Sequence, residues 1–328
     1  MYTLAIDCMG SDLGPKACVE AIKMFMTRHN DVKICAFGRK EELVELEGIN
    51  NVEIVDCKDV MEMTAGAMQA MRARETSMFK AVMSLKDNGY NGVVSAGSTG
   101  AFLTLASVKL RTIEGIERAA LVTAVPTYSG RLCTVLDVGA NVETSGAQLV
   151  QFAKMGRIYS QIVVGVKEPE TYLLSNGAED EKGSQDVKDA NKLLREMNFP
   201  GFKGNIEGRE VTLGNLDVLV TGGYAGNIFL KTYEGVGKML SNMIKDAFKM
   251  NLSTKIGYLF AHKGFDGLKE RMSYESVGGA MLVGVNGVVV KAHGSSNARA
   301  FSQAIEVCYN MVNKDVLNLI KEGVKEDA

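Results

Sequence analysis

Short runs of β-branched and apolar residues alternate along this chain with longer stretches whose apolar positions recur every three or four residues. TLAID is followed by the small-residue stretch CMGSDLGP and then by KACVEAIKMFM, where Val19, Ile22, Lys23 and Met26 fall at helical spacing. The same order returns in GVVSAG-STG-AFLTLASVKL, LCTVLDVGAN-VETSG-AQLVQFAKMGRIY and TYLLSNGAEDEKG-SQDVKDANKLLREM. It returns again in DVLVTGGYAGN-IFLKTYEGVGKMLSNMI and in MLVGVNGVVV-KAHGSSNARA-FSQAIEVCYNMV. The units differ in length, which sets them apart from a solenoid repeat. Strands alternating with helices predict right-handed crossovers and a mainly parallel sheet. In such a sheet all six turns are expected to gather on one edge. Helix N-termini there offer unpaired N–H groups and a partial positive charge, a setting that suits phosphate or another oxyanion.

Composition narrows the class. A chain of 328 residues can bury a large core, and 35 glycines against four prolines fit a fold rich in tight turns and close backbone approaches. A net charge of −2 gives no electrostatic footprint for nucleic acid. The six cysteines include no CxxC pair, so neither a zinc finger nor a disulfide framework is expected. MYTLAIDCMG reads as a first strand, no apolar run is long enough to span a bilayer, and a cytoplasmic location is expected.

The turns lack GxxxxGK[ST], GxGxxG, HExxH and GxSxG, so nucleotide-triphosphate, nicotinamide, zinc-peptidase and serine-hydrolase chemistries have no support. Glu179, Asp180 and Glu181 read as a solvated first turn, and no metal site is expected. The inventory fits a reaction that needs positioned oxyanions more than a protein nucleophile. Attack of inorganic phosphate on an activated acyl group is such a reaction.

Taken together in order, the blocks DCMGSDLGP, VVSAGSTGAF, LRTIEGIERAAL, DVGANVE, LLSNGAEDEKG, FKGNIEGRE, GGYAGNIFLKTYEG and GGAMLVGVNGVVVKAHGSSNARA resemble the bacterial phosphate acyltransferase PlsX family. The resemblance implies a single domain over residues 1–328, an α/β three-layer α/β/α sandwich akin to the isocitrate/isopropylmalate dehydrogenase and phosphotransacetylase folds. It implies a homodimer without metal or organic cofactor that makes acyl-phosphate from acyl-acyl-carrier-protein and inorganic phosphate for phospholipid synthesis. Cys8, Ser11, Ser98, Gly222, Tyr224 and Met281 depart from the family's usual residues, and Gly222 replaces an Asp. Two other readings remain open: a phosphotransacetylase-like enzyme using short acyl-CoA, and a regulatory or interaction protein that has kept the scaffold without activity.

His293, Lys182, Asn227 and Asp7 are the expected catalytic residues. His293 is placed to bind phosphate, to exchange a proton, or simply to be satisfied by its own loop. Asp7, ending the first strand, is placed to orient a His or Lys or to cap a helix. Gly10, Ser98, Thr99, Gly100, Asn141, Asn176, Gly183, Lys231, Gly294, Ser295 and Ser296 are the expected substrate-binding residues, gathered from helix openings and strand-end amides. Residues 234–272 carry an apolar helical face and the tip IGYLF beside lysines. They are expected to form a helical arm for dimer contact, with or without shallow contact with an anionic membrane surface.

Overall fold

The structure, a computed structural model, describes residues 1–272 and 278–325, with the side chains at 266 and 268–272 excepted. The strands are β1 (Tyr2–Asp7), β2 (Val32–Gly38), β3 (Val52–Asp56), β4 (Gly92–Ser95), β5 (Ala120–Pro126) and β6 (Leu132–Leu136). They continue with β7 (Thr171–Ser175), β8 (Phe202–Glu207), β9 (Val218–Val220), β10 (Ala280–Val283) and β11 (Val288–Lys291). The helices are α1 (Pro15–Met26), α2 (Ala67–Arg72), α3 (Ser77–Asp87), α4 (Thr99–Leu110), α5 (Gly146–Tyr159) and α6 (Gln185–Glu196). After these come α7 (Gly208–Val211), α8 (Gly223–Lys249), α9 (Leu252–Met272), α10 (Ala298–Asn313) and α11 (Val316–Lys325).

All the strands join one sheet in the order β3-β2-β1-β4-β11-β10-β5-β6-β9-β7-β8. One face carries a core built with α1, α5, α6, α10 and α11, including Phe25, Phe152 and Phe301. The other face carries a core with α2, α3 and α4 and with Leu230 of α8, including Phe79 and Phe102. The result is the expected three-layer sandwich. Seven of the ten strand pairings among the described residues are parallel, as the alternating pattern requires.

The turns do not all share one edge. β10 runs antiparallel to β11 and to β5, and β5 runs antiparallel to β6. The odd number of reversals turns the half made of β6, β9, β7 and β8 against the half made of β3, β2, β1, β4 and β11. The turns after β1, β4 and β11 therefore lie on one edge, and those after β6, β7 and β9 on the other. The cause is local: β5 and β6 form a hairpin closed at Thr127–Arg131, where Thr127 N–H donates to the Arg131 carbonyl and Gly130 takes φ +81°. Two apolar runs joined by PTYSG, with no helical pattern between them, carry that signal in the sequence.

A second departure concerns GGYAGN, which reads as a turn but forms the start of α8, with Gly222 as its N-cap. A Cβ at Gly223 or Gly226 would collide with the backbone at Asn141 or Asp137, so these glycines let the helix lie directly on the turn after β6. From that base α8 runs 27 residues and outgrows the sheet. It pairs with α9 through Phe248, whose ring lies 4.6 Å from Phe265 and 5.3 Å from Tyr258. Met239, Met243, Leu259 and Phe260 remain exposed on this hairpin. No helix among the described residues is long and apolar enough to cross a membrane.

The turn after β6 is fixed by Asp137, which is fully buried. One carboxylate oxygen accepts N–H bonds from Leu121, Gly139 and Ala140 at 2.9–3.0 Å, and the other accepts the backbone N–H and side-chain amide of Asn141 at 2.8 Å. Asp137→Ala strands these buried donors. A loss of at least about 3 kcal/mol in unfolding free energy is expected, read from urea denaturation; a midpoint equal to that of the parent would contradict the role.

Candidate functional site

Three neighbouring strand ends build the first part of the site. The register places Asp7 beside Ser95 and Ser95 beside Lys291. Asp7 is buried and accepts hydroxyl hydrogen bonds from Ser77 and Ser95, both at 2.6 Å, and the Met9 N–H at 3.3 Å. Ser95 Oγ in turn accepts the Gly97 N–H, which ties Asp7 to the SAGSTG turn. Lys291 is only 7% exposed and its Nζ donates to the Ala292 carbonyl, next to His293. The turns interlock: Asp12 N–H donates to the Gly294 carbonyl, and a Cβ at Gly10 would lie 3.1 Å from the Met61 carbonyl and 3.7 Å from Gly97.

Burial sets the electrostatics. It pushes the Asp7 carboxyl up to about 6, against the lowering effect of its hydroxyl partners and Lys291. It pushes Lys291 down to about 8; Asp7 and Asp12 act against the shift and Lys231 adds to it. His293 lies below the usual histidine range because of partial burial, helped by Lys231 and Lys291. These dependences bring Lys231 of α8 into the same electrostatic neighbourhood as His293 and Lys291.

His293 Nδ1 accepts the Ser295 N–H at 3.2 Å and contacts the Ser295 hydroxyl at 2.8 Å. An accepting Nδ1 leaves the proton of the neutral ring on Nε2. Gly294 and Ser296 are buried, and Ser296 N–H closes the turn onto the His293 carbonyl. Ala292, His293, Ser295, Ser296 and Asn297 line one wall of a cavity of about 1040 Å³. Phe229, Tyr233, Val236 and Leu240 of α8 line the opposite wall, with Lys238 and Lys245 along it.

The remaining predicted residues divide between the two edges. Ser98 caps α4 through its contact with Ala101 N–H and donates to the Ala65 carbonyl, so its hydroxyl is occupied, whereas Thr99 and Gly100 are exposed at the helix opening. On the other edge the Asn141 amide is spent on Asp137 and the Ala119 carbonyl. Asn176 Oδ1 accepts the Gly183 N–H, with Gly183 at φ +102°, and Lys182 is exposed beside them. Asn227 lies in the second turn of α8 rather than at a strand end, against Gly139. Lys231 stands one turn further along the same face and pairs with Glu234 at 2.8 Å. The helix thus joins the two sets of turns. Asp180 pairs with Arg195 at 2.6 Å, and no metal-holding cluster occurs among the described residues.

Similarity to known proteins decides the class. Residues 2–319 match the family model described as "Fatty acid synthesis protein". A phosphate acyltransferase of Aliarcobacter butzleri is 38% identical, covering 99% of this chain and 98% of its own length. One from Clostridium novyi is also 38% identical over 98% of both. The chain belongs to the phosphate acyltransferase family. Among solved structures, a phosphotransacetylase from Streptococcus pyogenes matches with TM-score 0.62 at 14% identity, over 97% of this chain and 94% of that one. A branched-chain phosphotransacylase from Enterococcus faecalis matches with TM-score 0.60 at 15% identity, over 95% and 100%. At such identities these two share the fold.

The chain is therefore placed among the acyltransferases of lipid synthesis. The departure at Gly222 has a physical setting: a Cβ there would lie 2.8 Å from Thr144 Oγ1 and 3.8 Å from an Asp186 carboxylate oxygen. In this acyltransferase a carboxylate already stands beside position 222, held by Thr144 at 3.1 Å. Lys291, Ser95, Ser77 and Asp137 carry no motif that marks them in the sequence. The one available signal is a lysine closing the apolar run VVVK.

Asp7 also sets a pH dependence. Its folded pKa, raised from 3.8 to about 6, means that the folded enzyme holds this proton over a range where the unfolded chain has lost it. Its contribution to stability falls as pH rises through that window. Asp7→Asn removes the dependence, so the stability of the variant relative to the parent is expected to rise between pH 4 and 6, by up to roughly 3 kcal/mol. Denaturation at several pH values measures this, and a constant difference would contradict it.

Proposed function

We propose that the enzyme forms acyl-phosphate from a long-chain acyl-acyl-carrier-protein and inorganic phosphate, for phospholipid synthesis. The observation that carries this reading is the cavity, whose His293 end is polar while Phe229, Tyr233, Val236 and Leu240 give its α8 wall an apolar strip between Glu234, Lys238 and Lys245. A volume of about 1040 Å³ is more than an acetyl group needs and accommodates a long acyl chain. In the reaction a phosphate oxygen of HPO₄²⁻ attacks the thioester carbonyl, the C–S bond breaks, and the phosphate proton ends on the departing thiol. The protein's task is to align the two substrates and to stabilise the oxyanion.

His293 suits the holding role better than proton transfer. Its ring is neutral near pH 7, Nδ1 is engaged by Ser295, and Nε2–H remains as a donor. Asp7 and the SAGSTG turn keep the phosphate end rigid, with exposed Thr99 and Gly100 offering N–H groups at the α4 N-terminus. Asn227 and Lys231 face the substrates from α8, and Lys182 with Gly183 contributes from the second edge. We place dimer contact on the α8–α9 hairpin, and shallow contact with anionic lipid at its tip, where Leu259 and Phe260 are exposed near Lys255 and Lys263.

Phosphate-dependent thiol release from long-chain acyl-acyl-carrier-protein is expected to exceed that from acetyl-CoA; the reverse order would favour a phosphotransacetylase. His293→Ala is expected to lower turnover at least ~10²-fold with the fold intact, and unchanged kinetics would remove His293 from the site. Wild type is expected to float with anionic liposomes and the Leu259→Ser/Phe260→Ser variant to remain unbound. Equal, negligible flotation would sink the lipid contact.

A further inference from the structure

We propose that Lys291 is a phosphate ligand, its buried ammonium holding the anion among the turns after β1, β4 and β11 while Lys231 closes the site from α8. This rests on phosphate acyl transfer as the reaction and assigns a residue to its inorganic substrate.

A buried ammonium is costly unless its charge and its N–H groups are matched. Lys291 is 7% exposed, and its hydrogen bond among the described residues goes to the Ala292 carbonyl. Two N–H donors remain. The carboxylate across the register, Asp7, is committed to Ser77, Ser95 and Met9 and makes no ion pair with Lys291 among the described residues. Asp7 offsets the lysine charge through space without saturating its donors.

Two further cation-capable groups converge on the same place. Lys231 disfavours the charge on both Lys291 and His293, and Lys291 disfavours it on His293, with Asp12 and Glu234 acting against these effects. Among the described residues Lys231 is paired with Glu234 on its own helix, at an exposed position on the α8 side of the cleft. Such a convergence is unfavourable in the empty protein and becomes favourable when a multiply charged anion enters. Gly10 and Gly97 keep the first two turns close together, and the open first turn of α4 adds N–H donors. Inorganic phosphate has the charge and the tetrahedral oxygens to use all of them at once.

Lys291→Met tests the assignment. It is expected to raise the phosphate KM roughly 10- to 100-fold, with the acyl-donor KM within about twofold of wild type. A normal phosphate KM, or equal losses for both substrates, would overturn the proposal. Should the variant fail to fold, tungstate soaked at millimolar concentration into wild-type crystals decides independently. Its anomalous peak is expected within hydrogen-bond distance of Lys291 Nζ, and a peak elsewhere or none would overturn the assignment. Wild type that turns over no acyl-acyl-carrier-protein yet binds tungstate at Lys291 would refute the donor proposed above and leave the phosphate site standing.

Discussion

Asp137 gathers five N–H donors at the end of β6, and the rigid turn so formed is the seat on which α8 rests. Glycine at 223 and 226 removes the side chains that would hold the helix away from it. Backbone lies on backbone, and the direction of α8 follows from that contact. The rest of the site depends on that direction. Asn227 falls against Gly139, Lys231 reaches the electrostatic neighbourhood of Lys291, and the apolar flank from Phe229 to Leu240 becomes a cavity wall.

The strand ends behind the opposite wall are governed by a different constraint. Asp7, Ser95 and Lys291 lie side by side on three parallel strands with almost no access to water. Burial drives both ionisable members toward neutrality, yet near pH 7 each keeps its charge, since one titrates at about 6 and the other at about 8. The hydroxyls of Ser77 and Ser95 supply what water would otherwise give the carboxylate. The arrangement exchanges some stability for a positive charge held next to His293, as active sites commonly do.

Much of the fold was legible in the sequence because strand–turn–helix units repeat with clear periodicity, and the caps at Ser98, Ser145 and Asn297 lie where the pattern turns helical. The sheet's reversal was not foreseen, since it depends on one hairpin between β5 and β6 rather than on any of the repeated units. GGYAGN was misread for a related reason: glycine serves turns and close approaches alike, and only the presence of Asp137 beneath it decides which. Site residues that lie in small-residue turns are legible whether buried, as Asp7 and Ser98 are, or exposed. Lys291 closes a strand, where a lysine carries no local pattern, and only its burial beside Asp7 and Ser95 marks it. Asn141 looked like a free strand-end amide, and the structure spends it on its own turn.

The continuity of α8 gives the molecule a mechanical property. The helix is a single rod of about 40 Å at 1.5 Å per residue, seated at Gly223–Gly226 and tipped by exposed Met239 and Met243. A tilt of about 10° about the seat carries the far end some 7 Å but shifts Lys231 by only about 2 Å. The tip and the cleft are thus geared about three to one. A long lever with its short arm beside the cleft turns a coarse displacement at its far end into a fine one near His293, on the scale that alignment of reacting atoms can register.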